Sequence, residues 1–152
     1  MNHSDYIIEI ENGNIFNSDC QTLVNAINCV GIMGKGIALE YKRIYPLMFK
    51  DYKKRCDNRE VLPGKPYCYI VSKDAKIINF PTKDHWRYPS QLNYVDNGLI
   101  LIERVHHIWG IKSIAFPAIG CGLGGLEWED VRGLIYKRLG NIDIPIELYL
   151  PL

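Results

Sequence analysis

Short apolar runs alternate along the chain with longer amphipathic stretches, the succession expected of alternating strands and helices. Tyr6–Ile10 (YIIEI) alternates weakly and runs into Asn12-Gly13, a strand followed by a turn. Leu23–Ile27 reads as a second strand. Lys35–Tyr45 reads as a helix stopped by Pro46, and Pro46–Cys56 as another with proline in its first turn. Tyr67–Val71 and Lys76–Phe80 are β-rich runs separated by a turn around Lys73-Asp74. From Gln91 to Trp109, Val95, Leu99, Ile102 and Val105 recur at helical spacing, and Gly110 supplies the stop. Ser113–Pro117 predicts a buried strand, and Ile144–Leu150 a last one. Between them Glu127–Leu139 predicts a helix with Val131, Leu134 and Ile135 inward, closed by Gly140. The class implied is α/β, a mixed sheet with helices on both faces.

Two glycine-rich loops interrupt this pattern at strand-to-helix junctions. The first, in VNAINCVGIMGKGIA, runs through Gly31, Gly34 and Gly36; the second is Gly120-Cys121-Gly122-Leu123-Gly124-Gly125. A glycine turn opening a helix offers unpaired backbone N–H groups and the positive end of the helix dipole, which suits phosphate. Two such cradles at the carboxyl ends of strands suggest one ligand carrying a diphosphate. Lys35 faces either that diphosphate or solvent. It is followed by Gly36-Ile37 rather than Ser or Thr, so a triphosphate-hydrolysing loop is disfavoured.

Composition narrows the picture a little. With 152 residues, 47% of them hydrophobic and 23% charged, the chain has the makings of one globular domain. A net charge of +1 carries no signature of general nucleic-acid binding. No apolar run is long enough to span a bilayer, and the polar start MNHSDY does not resemble a signal peptide, so a cytoplasmic location is expected. The five cysteines share no metal-type spacing, and neither a metal nor a cofactor is expected. Cys121 lies in the second loop without a nearby histidine in sequence, which favours a space-filling thiol over a nucleophile. His3, His106 and His107 carry no signal of chemistry.

These motifs resemble the macrodomain family, three-layer α/β/α proteins that bind ADP-ribose. VNAIN is similar to the family's VNAAN signature, GIMGKGIA to its first phosphate loop, and AIGCGLGGLEWEDV to its second loop and following helix. The likeness runs from about Tyr6 to Leu150, and the order and separation of the loops make it specific. NFPTKDHWR (Asn79–Arg87) resembles the branch holding terminal ADP-ribose protein glycohydrolase and, more closely, the DarG antitoxins. Those antitoxins remove ADP-ribose from thymidine in DNA and so reverse a DarT-type toxin.

The resemblance implies the same hydrolysis here, with ADP-ribosylated single-stranded DNA as substrate. Lys83 matches the catalytic lysine, and Asn25 and Asn28 match asparagines beside the distal ribose and base. It implies ADP-ribose contacts from Asn14 and Ile15. On the first loop these come from Gly31, Met33, Gly34, Lys35, Gly36 and Ile37. On the second they come from Pro117, Ile119, Gly120, Cys121, Gly122, Leu123 and Gly124. There are departures from the pattern. Asn14 stands where many macrodomains carry an aspartate for adenine, and Gly124 where the human glycohydrolase carries an aspartate. DarG antitoxins also carry a second, toxin-binding domain, so the chain is expected to be either a fragment of one or a stand-alone enzyme. Other readings are an ADP-ribose reader without turnover, or a hydrolase of ADP-ribosylated protein carboxylates or of ADP-ribose esters.

Several residues keep alternatives open. Asparagine offers donor and acceptor together, so Asn28 suits the distal ribose while Asn25 lies nearer the base or braces the loop. Lys83 acts as nucleophile at the anomeric carbon, as general acid or base, or as an electrostatic partner of the leaving thymine; the first is favoured. His85, Trp86 and Arg87 form a basic-aromatic cluster facing DNA, the alternative being a core Trp86 with Arg87 in an ion pair. Tyr88 and Tyr94 are candidates for the cleft wall. The acidic residues of Glu127–Asp130 fit a helix start.

Overall fold

A computed structural model describes residues 6–151; His3 lies outside them. Its elements are β1 (Ile7–Ile10), β2 (Thr22–Ile27), α1 (Gly36–Ile44), α2 (Pro46–Asp57), β3 (Tyr67–Ser72) and β4 (Ala75–Pro81). They continue with α3 (Leu92–Val105), β5 (Ile114–Phe116), α4 (Trp128–Leu139) and β6 (Ile146–Tyr149). Single 3-10 turns stand at Ile15–Asn17 and Gly122–Gly124. The six strands form one sheet in the order β1-β6-β5-β2-β4-β3, parallel except for the β3–β4 hairpin. The expected mixed sheet is therefore present.

Strand alternation builds the three layers. In the central strands consecutive residues point to opposite faces, and both faces are apolar. Val24, Ile78, Phe80, Ile114 and Phe116 pack with Val95, Leu99 and Ile102 of α3 and Val131, Ile135 and Leu139 of α4. Leu23, Ile27, Ile77 and Ala115 pack on the other face with Tyr41 of α1 and Met48 and Tyr52 of α2. Each such large side chain taken fully out of water contributes about 1.5–3 kcal/mol. Gly98 lets α3 lie close on the sheet: a Cβ there would sit 2.6 Å from Cε1 of Phe80.

The helix expected through Trp109 ends at Val105. His106 turns its ring Nδ1 back to the carbonyls of Ile102 and Glu103, at 3.1 and 2.8 Å, and competes for the last turn. The segment after it runs as successive turns to Gly110, whose φ of 67° suits glycine. Similarly, the last strand starts at Ile146 rather than Ile144, because Pro145 precedes it and offers no ladder donor. The expected first strand likewise begins at Ile7, after Tyr6.

Candidate functional site

Strand order decides where the site lies. β5 and β4 flank β2 on either side, so the segments leaving the carboxyl ends of β2, β4 and β5 converge. They enclose a cleft of about 1020 Å³. Gly34, Lys35, Gly36 and Ile37 line one wall, and Pro117, Gly120, Cys121, Gly122, Leu123 and Gly124 another. The two glycine loops approach each other: a Cβ on Gly36 would stand 3.4 Å from Cδ1 of Leu123. Gly36, Gly120 and Gly122 have φ of 58°, 75° and 62°, a backbone region in which a side chain is strained. Leu123, 70% exposed, and Ile32, 45% exposed, both line the cleft.

The first loop is braced by an interior clamp. Asn28 is 5% exposed at the end of β2 and lines the cleft. Its Oδ1 accepts from Val30 N at 3.1 Å, and its Nδ2 donates to the Ile32 carbonyl at 2.8 Å. Tyr52, wholly buried on α2, holds the same residue through its hydroxyl, 2.9 Å from the Asn28 carbonyl and 2.8 Å from Oδ1. Burial drives the Tyr52 hydroxyl far above its ordinary value, so it stays a donor. Loop bracing, one of the two roles open to Asn25, is thus a role of Asn28.

Asn25 is placed elsewhere. Its side chain is completely buried on the face covered by α1 and α2, where its Nδ2 donates to Asn79 Oδ1 at 3.1 Å. The two asparagines are register partners on parallel β2 and β4. Asn79 passes the chain on to the Tyr67 hydroxyl at 3.0 Å. Asn25 therefore stands off the cleft wall, and Val24 and Ile27 alone could not have revealed it, since both faces of the strand are buried. Asn14, Ile15, Gly31, Met33 and Ile119 also do not line the cleft. Asn14 caps the 3-10 turn through its Oδ1, which accepts from Phe16 N at 3.0 Å. Ile15, Met33 and Ile119 are core side chains.

The third wall comes from the segment after β4. Lys83 is half-buried there and lines the cleft. Among the described residues no carboxylate forms an ion pair with it. Trp86 and Arg87 line the cleft beside it, with Trp86 46% exposed and the Arg87 guanidinium 4.9 Å from its ring centroid. The core placement of Trp86 is thereby set aside. His85 lies off the wall, its ring 5.2 Å from Trp86 and 5.6 Å from Tyr88; Tyr88 and Tyr94 do not line the cleft either.

Thr82 and Ser90 also line the cleft, although both are buried, and sequence reasoning passed over them. Only the folded loop brings them together, although Thr82 stands beside Lys83 in the motif. Tyr52 was missed too; its sole signal was a helix face shared with Met48 and Cys56. Burial, and then Glu127, push the Cys121 thiol up to about 11, which keeps it protonated and supports a packing role. Glu129 and Asp130 occupy the first turn of α4, where acidic side chains meet the helix dipole favourably. Among the described residues no group of His, Cys, Asp or Glu could hold a metal ion, and no helix is long and apolar enough to cross a membrane.

Comparison with known proteins matches the Macro domain family over residues 24–135. The chain is 45% identical over 146 residues to a "DNA ADP-ribosyl glycohydrolase" of Mycobacterium tuberculosis, covering 92% of this chain and 42% of that protein. It superposes on the macrodomain of Mycobacterium tuberculosis DarG with a TM-score of 0.88 at 45% identity, covering 96% of this chain and 98% of that one. Thermosipho africanus DarTG in complex with ADP-ribose gives a TM-score of 0.89 at 38% identity, covering 96% of this chain and 42% of that one. The chain thus spans about two fifths of the length of the curated relatives that it matches along most of its own length. With the family's two glycine loops facing one another across a cleft at the ends of the parallel strands, the chain belongs to the macrodomain family.

Proposed function

We propose that this chain is an ADP-ribosyl glycohydrolase that releases ADP-ribose from thymidine in DNA, with Lys83 as its catalytic group. The observation that carries the reading is the position of Lys83, half-buried on the wall of the cleft into which both glycine loops open. The backbone N–H groups of the loops hold the diphosphate, and Asn28 keeps the first loop in shape. The distal ribose then reaches toward Lys83 and the thymine toward Trp86. An exposed indole carrying a guanidinium on its face suits a base of single-stranded DNA, and such stacking is worth about 1–3 kcal/mol per base. Similarity to the mycobacterial glycohydrolase and to DarTG supports the same substrate and an association with a DarT-type toxin in the cytoplasm.

In this reading the Nζ lone pair of Lys83 adds to the anomeric carbon. The carbon–nitrogen bond to thymine breaks, its electron pair leaving on the thymine nitrogen, which takes up the proton that Nζ gives up on bonding to carbon. The lysine–ribose adduct opens to an imine, and water then adds to the same carbon and frees the amine. One water is consumed, and ADP-ribose and unmodified DNA are released. Gly124 has no carboxylate to offer this sequence, so the lysine works without the aspartate of the human glycohydrolase.

The test uses a single-stranded oligonucleotide ADP-ribosylated on thymidine, with the parent protein and a Lys83→Ala variant. Release by the parent, slowed at least about a hundredfold in the variant, is expected. Borohydride added during turnover should trap a Lys83–ribose adduct. Intact substrate with a parent protein that still binds ADP-ribose would make the chain a binding module. Equal turnover by both proteins would remove Lys83 from the chemistry.

A further inference from the structure

The loop carrying Lys83 and Trp86 is closed at its base by a pair of buried hydroxyls. Thr82 is 2% exposed and Ser90 5%, yet both line the cleft. Their Oγ atoms lie 3.0 Å apart. The backbone around them is fixed on three sides. Thr82 N donates to the Ile27 carbonyl at 3.1 Å, Gln91 N to the Thr82 carbonyl at 3.0 Å, and Ser90 N to the Gly124 carbonyl at 2.9 Å. The hydroxyls therefore sit where β2, the end of β4 and the second glycine loop meet, Thr82 directly before Lys83 in the chain and Ser90 seven residues after it.

A pair of hydroxyls holds two protons, and the bond between them uses one. No other partner is found for either side chain among the described residues. One O–H thus remains unshared in a buried position on the cleft lining, and leaving it unmet there costs free energy. Gly124 belongs to the same arrangement. A Cβ at that position would collide with Ser90 Oγ and lie 3.0 Å from Ser90 Cβ, so a side chain at 124 requires Ser90 to shift. The Ser90 hydroxyl here takes the space that a side chain at 124 would occupy.

We propose that the Thr82–Ser90 hydroxyl pair is a sugar-binding element, donating its unshared O–H to a hydroxyl oxygen of the ribose that Lys83 engages. The inference rests on ADP-ribose as ligand and on nothing about DNA. Either hydroxyl can turn to the ligand while the other bonds to it, so each backs up the other. Removing one leaves a donor in place; removing both deletes it.

Binding of ADP-ribose is compared with that of its 2- and 3-deoxy analogues in the distal ribose, by calorimetry, for the parent and for T82V/S90A. Comparing ligands within one protein cancels any general loosening of the fold. The parent should bind ADP-ribose about tenfold more tightly than one of the analogues, and the double variant should discriminate less than about twofold. Thr82→Ser, which keeps both hydroxyls, should discriminate as the parent does. A double variant that still discriminates, or a parent that binds all three ligands alike, would overturn the proposal. Loss of DNA turnover with this binding pattern intact would count against the glycohydrolase reading alone.

Discussion

Tyr52→Phe removes a single oxygen from a fully buried side chain and leaves its ring in place. The lost hydroxyl lies 2.9 Å from the Asn28 carbonyl and 2.8 Å from Asn28 Oδ1. Its one proton serves one acceptor at a time, and Oδ1 keeps a second donor in Val30 N. The variant therefore strands one buried acceptor, the Asn28 carbonyl, at a cost of about 1–2 kcal/mol. That cost falls on the residue that shapes the first glycine loop. Urea unfolding should show the stability loss with an unchanged m-value, since the surface exposed on unfolding is the same. ADP-ribose affinity should fall by up to about thirtyfold, the limit reached if the whole of about 2 kcal/mol is lost from preorganisation. Unchanged stability would refute the buried hydrogen bond. Lower stability with unchanged affinity would show that Tyr52 supports the core and not the loop.

Two further predictions concern the packing of α3. Gly98→Ala forces a methyl group into the Phe80 ring and should destabilise the protein by about 1–3 kcal/mol, and Phe80→Leu in the same chain should recover part of it; independent, additive losses in denaturant melts would contradict this. Asp96 is paired with Arg138 of α4 through bonds of 2.7 and 3.0 Å, which hold its carboxyl below its ordinary value near 3.8. With a depressed folded value, the stabilisation is complete above the ordinary value and disappears as pH falls through it toward the folded one. The gap in thermal melts between parent and Asp96→Asn should accordingly be full at about pH 5 and narrow as the pH falls below 3.8, and a gap that stays constant as the pH falls below 3.8 would exclude the pair as its source.

What could be read from the sequence is what depends on near neighbours in the chain. Val95, Leu99 and Ile102 mark a helix because the period of an α-helix is local. Gly36, Gly120 and Gly122 mark sharp turns because they take up backbone angles that other residues resist. Lys83 and the two loops could be singled out on those grounds and on resemblance. Other features exist only between distant segments. Asn25 is in-register with Asn79 because β2 pairs with β4, and that pairing takes it out of the cleft. Asn28 braces the loop because Tyr52 arrives from α2, and Thr82 meets Ser90 because Gly124 leaves room for its hydroxyl. Strand order, a choice made by packing two apolar faces at once, brought both glycine loops to one cleft; no local period encodes it.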